Sequence, residues 1–203
     1  MTATDVYSGW INLCALLNKA HKWTFEALTG IKNNASFPIR EFHSDNGSEF
    51  INNATEIWCN EESLAFTRSR DHKKNDNCFV EQKNGAVVRE YVGYDRLSGF
   101  EEQALLAAVY SPPVPLLNLF MPTQKLKSKT RIGSKEIKVY DEPRSPLRRL
   151  LECAQLPREY KDSLQAQCAL YNPVELQQNF NKAILRLHQR LAQSNRIRTQ
   201  ERV

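Results

Sequence analysis

No stretch of this chain approaches the ~18 apolar residues that a membrane-spanning helix requires, and no two of its cysteines form a CxxC pair. The five cysteines, at 14, 59, 78, 153 and 168, are odd in number and widely spaced, and the four histidines at 21, 43, 72 and 188 are scattered. This pattern argues against a zinc finger and against a disulfide framework. It leaves the cysteines as small buried hydrophobes. The opening residues, MTATDVYSGWINL, carry neither the basic start nor the long apolar core of a secretory signal. Internal repeats are absent too. These absences predict a cytoplasmic protein with no signal peptide and no transmembrane segment.

What is present is ordinary globular composition, 41% hydrophobic and 25% charged over 203 residues, enough for one good core and a smaller appendage. The net charge of +5 is unevenly spread. Residues 1–120 hold 11 basic and 15 acidic side chains, residues 121–149 hold 9 and 3, and residues 150–203 hold 8 and 5. An acidic-leaning domain is thus followed by a basic extension, which points to a polyanionic partner.

Hydrophobic periodicity divides the first part into elements. TATDVYS and WINLCALL read as strands joined at Ser8-Gly9. Asn18 is placed to cap a helix over KAHKWTFEALTGI. PIREFHS reads as a strand, EFINNATEIWCNEE as a helix and LAFTRS as a short strand. DHKKNDN is a polar loop, and FVEQKNGAVVREYVGY has a helical face interrupted by Gly85. This order predicts an α/β fold with one mixed sheet flanked by helices. FEEQALLAAVY is a further helix, expected to stop at Ser111-Pro112-Pro113. The basic stretch MPTQKLKSKTRIGSKEIKVYDEPRSP shows little apolar periodicity and reads as an extended arm, and three amphipathic helices separated by Pro157 and Pro173 follow. The expected units are a core over 1–110, a basic linker arm over 111–145, a helical region over 146–193 and a tail over 194–203.

HSDNGSEF, residues 43–50, places Asp45 where a strand runs out; Glu81 stands in NDNCFVEQKN with thirty-five residues between them. Asn-Gly is foremost a turn dipeptide, and a helical glutamate is usually a solvent-facing one, so neither motif carries chemistry alone. Together, with Val80, Glu81 and Asn84 in a V-E-x-x-N context, they resemble the catalytic core of retroviral-type integrases and bacterial DDE transposases. The resemblance covers roughly residues 3–95, including TDVYSGW, with a weaker echo through NLFMPTQKL and KTRIGSK. It implies a ribonuclease H-like fold and metal-dependent DNA strand transfer. Asp45 and Glu81 would be catalytic carboxylates and metal ligands for two Mg²⁺ (or Mn²⁺) ions, hard cations that carboxylates hold ~3.5–4 Å apart for phosphoryl transfer.

In that family a further catalytic aspartate lies on a strand before the S-G-[WY] turn. Asp5 is too close to that turn to take the role, so the expectation is an N-terminally truncated core with two of three carboxylates. DNA is the expected partner, met by Lys73, Lys74, Lys83 and Asn84 near the site and by Lys125, Lys127, Lys129, Arg131 and Lys135 in the arm. Family members act as multimers, which implies a homo-oligomer for the full-length form, through the leucine-rich helices or with those helices packed within one chain. The alternative is a non-catalytic DNA-binding or assembly remnant. With two carboxylates, the purified chain is expected to give negligible Mg²⁺-dependent joining of a labelled DNA end; efficient joining would refute the two-carboxylate reading.

Overall fold

A computed structural model of the chain describes residues 1–45, 47, 50, 53–70, 84–95 and 97–200. The architecture is mixed α/β. Strands β1 (Thr2–Thr4) and β2 (Ile11–Leu13) form an antiparallel hairpin with Thr4 opposite Ile11. Its turn is organised by Asp5, whose carboxylate accepts from the Ser8 N–H (2.6 Å) and hydroxyl (2.5 Å). Gly9 takes φ +80° there, a conformation open to glycine without steric cost.

Helix α1 (His21–Asn33) follows. Asn18 does not cap it: its side chain accepts from the Ala20 N–H (2.9 Å), bending the chain two residues before the helix, and Ala20 occupies the cap position. Strand β3 (Glu41–Ser44), helix α2 (Asn53–Glu61) and strand β4 (Ala65–Arg68) complete a strand–helix–strand unit, with β3 and β4 parallel. Phe42 ties it together, its ring 5.8 Å from those of Phe50 and Trp58 and 6.0 Å from that of Phe66. The Trp58 indole N–H donates to Thr29 on α1 (3.1 Å).

The single mixed sheet expected from the element order is not formed. Among the described residues the antiparallel and parallel pairs are separate two-stranded ladders, and a third joins β5 to β6. Helix α3 (residues 84–92) opens as a wide-turned Asn84–Arg89 segment and tightens over Glu90–Val92. Gly85 therefore lies inside a helix that accommodates it rather than at a break.

Helix α4 runs over Phe100–Phe120 and does not stop at the prolines. Pro112 (φ −74°, ψ −39°) and Pro115 (φ −64°, ψ −36°) keep helical dihedrals. The N–H groups that prolines lack are bypassed by looser bonds, Leu116 N–H to the Pro112 carbonyl at 3.4 Å and Met121 N–H to the Leu116 carbonyl at 3.2 Å. By length and apolar content α4 is one helix that could cross a membrane, which the search for an unbroken apolar run overlooked because prolines interrupt it. In the fold it is shared between two cores. Val109 and Tyr110 pack with Val92, Phe180, Leu187 and Leu191, whereas Leu119 packs with Leu147, Leu150 and Leu164.

Three helices close the chain: α5 (Pro146–Glu152), α6 (Arg158–Ala169) and α7 (Pro173–Gln200). Ser145 caps α5 by accepting from the Arg148 N–H, with Pro146 in the first turn where no donor is needed. The leucines Leu147, Leu150, Leu164, Leu187 and Leu191 of these helices are buried within this chain.

Two polar contacts join the parts. Asn118 on α4 is fully buried; its carboxamide accepts from the Ile11 N–H and donates to the Ile11 carbonyl, each at 2.8 Å. It satisfies the outer edge of β2 as a neighbouring strand would. At the other junction Arg149 donates to Asp141 (2.5 Å) and to the Thr123 carbonyl (2.8 Å). Both side chains are shielded, 9% and 12% exposed. The Arg149 hydrogen bond, helped by the Lys125 N–H, lowers the Asp141 carboxyl from 3.8 to about 2.

Replacing Asn118 with Leu leaves two buried backbone groups of Ile11 unpaired, at about 1–3 kcal/mol each. Urea unfolding of Asn118→Leu should therefore show a loss of about 2–5 kcal/mol with an unchanged m-value. For Asp141, a carboxyl lowered on folding contributes stability that is fully present above 3.8 and disappears as pH falls through about 2. Asp141→Asn should cost on the order of 1–3 kcal/mol at neutral pH. The gap between variant and wild type should close as urea titrations are repeated toward pH 2.

Candidate metal centre and nucleic-acid interface

Parallel strands bring their C-terminal ends to one side, and Asp45 follows the last residue of β3 on that side. Its carboxylate accepts from the Gly47 N–H at 3.0 Å, so the aspartate also fixes the turn that follows it. The ladder beneath is held by polar cross-strand contacts. One nitrogen of His43 lies 2.8 Å from the Thr67 hydroxyl and the other 3.1 Å from the Ser69 hydroxyl, and Thr67 donates to Glu41 (2.8 Å). The Ser69 N–H donates to the Ser44 carbonyl at 2.9 Å, carrying the pairing up to the residue before Asp45. His43, a residue of the motif with no role assigned from sequence, thus works as a strand-to-strand tie.

Glu81, Lys73, Lys74 and Lys83 lie outside the described residues. Asn84 opens α3 and accepts from the Thr2 hydroxyl (2.5 Å), which fastens the start of that helix to β1 rather than presenting it outward. Asp5 is engaged in its own turn. Among the described residues no three His, Cys, Asp or Glu side chains come close enough to hold a metal ion. Asp45 is accordingly the one described member of the carboxylate pair. Its hard oxygen donors suit Mg²⁺ or Mn²⁺.

The basic extension is a hairpin, not an extended arm. Strands β5 (Leu126–Ile132) and β6 (Lys135–Tyr140) pair antiparallel around Gly133, at φ +61°, and Ser134. The signal was in the sequence: two β-prone runs separated by Gly-Ser, hidden by the density of lysine. Every residue of both strands is exposed.

The cations assigned to DNA fall into different settings. Lys125 lies outside the ribbon; its ammonium donates to the Val6 carbonyl at 2.6 Å and to the Tyr7 carbonyl, stapling the ribbon's base to the β1–β2 turn. Lys127, Lys129, Arg131 and Lys135 lie on the ribbon, Lys129 paired with Glu136 at 2.7 Å. Lys138, not singled out from sequence, stands opposite Lys129 and contacts Glu136 at 3.3 Å.

No family model matches the chain. A stretch of 149 residues, 73% of the chain, is 40% identical to y4rM of Sinorhizobium fredii, described only as an uncharacterized protein. The match takes in 43% of that relative, so the chain spans less than half the length of the curated protein it resembles.

Proposed function

We propose that the chain carries the metal-dependent DNA strand-transfer core of an integrase- or transposase-type polynucleotidyl transferase with a ribonuclease H-like fold. The observation that carries this reading is Asp45 at the C-terminal end of a strand in a parallel strand–helix–strand unit, in a motif whose spacing to Glu81 matches that family. The reading also accounts for the two separate ladders. In the family, a strand bearing the first aspartate lies between the hairpin and the parallel pair, and here β1 and β3 each have a single strand neighbour among the described residues.

Asp45 and Glu81 would hold the divalent ions, whose bound chemistry is activation of the attacking oxygen and stabilisation of the leaving one. The chain's own contribution is positional: the His43–Thr67 and Ser69–Ser44 contacts fix the strand end, and the Gly47 N–H orients the Asp45 carboxylate. DNA is the partner, in the cytoplasm, and a homo-oligomer would bring two DNA ends together.

A second reading is a non-catalytic DNA-binding or assembly remnant. It is favoured by the exposed lysine-rich ribbon, beside a site whose sequence offers two carboxylates where the family uses three. Titration with Mn²⁺, read by calorimetry, separates the two. Because loss of even a supporting group costs about 10–100-fold in metal affinity, Asp45→Asn and Glu81→Gln should each weaken Mn²⁺ binding by at least about tenfold. An equal response in wild type and both variants would remove the metal centre and leave the remnant.

A further inference from the structure

We infer that the β5–β6 ribbon is an arm that binds duplex DNA through one of its two faces, presenting Lys129, Arg131 and Lys138, and that Glu136 on that face competes with the DNA for them. The inference rests on DNA being the partner, as proposed above, but not on the metal centre.

The register sorts the side chains. Residues directly opposite each other share a face, and successive pairs alternate between faces. Arg131–Glu136 and Lys129–Lys138 therefore lie together on one face, and Thr130–Ile137 and Ser128–Val139 on the other. The ribbon is thus cationic on one side and apolar with hydroxyls on the other.

Two like charges placed directly opposite each other repel. Glu136 relieves the Lys129–Lys138 pair by contacting both ammonium groups, at 2.7 and 3.3 Å. It is the lone acid among five basic residues between 126 and 140. All three partners stay largely in water, with Lys129 54%, Lys138 46% and Glu136 39% exposed. An exposed ion pair of this kind is worth little, so a phosphate can replace the carboxylate readily.

The shape fits the same partner. Seven paired residues reach about 23 Å, and a two-stranded ribbon is an element that the DNA major groove admits. The base is rigid while the ribbon projects: Asp141–Arg149, the Lys125 contacts to Val6 and Tyr7, and the Thr123–Arg144 bridge all lie below Leu126 and Tyr140. Lys125 serves the anchor rather than the DNA.

The test is fluorescence anisotropy of a labelled mixed-sequence duplex with the full chain, across about 50–200 mM salt. Glu136→Gln should bind severalfold tighter than wild type, because a competitor for two cations is gone. The triple variant Lys129→Gln, Arg131→Gln, Lys138→Gln should lose more than tenfold in affinity. Its slope of log affinity against log salt should shrink by about 2–3, one phosphate contact per cation. Val139→Thr, on the other face, should bind as wild type does.

All these side chains are exposed, so circular dichroism should report an unchanged fold. Wild-type affinity in both Glu136→Gln and the triple variant overturns the proposal. So does binding to phosphatidylserine vesicles that duplex DNA cannot displace, which would make the ribbon a lipid-binding device. Loss of the Mn²⁺ difference at Asp45 with these shifts intact would sink the metal centre and leave the arm standing.

Discussion

The pairing of the Asn118 carboxamide with both backbone polar groups of Ile11 is the contact on which the arrangement of this chain depends. A strand edge pointing into a protein interior must find partners for its N–H and C=O groups, since a buried unpaired group costs about 1–3 kcal/mol. Here the partner is a side chain on a helix. Asn118 sits at the end of α4 that enters the core of Leu119, Leu147, Leu150 and Leu164, while the other part of α4 enters the core built on α7. One amide therefore fastens the β1–β2 hairpin to the helix that both cores share. The Gln103 side chain adds a second tie from the same helix, donating to the Ala15 carbonyl at 2.7 Å.

The second junction uses charge where the first uses a neutral amide. Arg149 is buried, and its guanidinium is satisfied by a carboxylate and a carbonyl held at the root of the ribbon. A shielded pair of this kind is costly to break, because either partner alone would be a buried unpaired charge. The outcome is a sharp division of labour among basic residues. Arg149 and Lys125 build the root, and the cations beyond Leu126 face water. A basic segment that looked uniform in sequence is divided by the fold into structural and exposed charges.

Much of the local structure was legible. Amphipathic spacing located α1, α2 and the three C-terminal helices, and short β-prone runs located β1 to β4. The Asp45 motif was read as a strand end, and Asp45 directly follows Ser44, the last residue of β3. The misjudged places have identifiable causes. Prolines at 112, 113 and 115 suggested a stop, but packing on two cores holds them in helical geometry. Lysines masked the alternation of β5 and β6, because a ribbon exposed on both faces has no buried side to make the pattern apolar. The mixed sheet was inferred from element order, which fixes which strands exist but not which of them pair.

The sequence by itself determined the local elements, the place of the motif at the end of a strand, and the gradient from acidic-leaning to basic along the chain. These follow from backbone propensity, side-chain periodicity and composition, all of which act over a few residues. Only the tertiary structure decided that Asn118 would act as a strand for Ile11, across 107 residues. It alone decided that Asp5 would be spent on a turn, that Lys125 would be an anchor, and that Glu136 would sit between two lysines. Those outcomes depend on which polar groups meet when distant segments are packed together. Such meetings are set by the geometry of burial and not by neighbours in the chain.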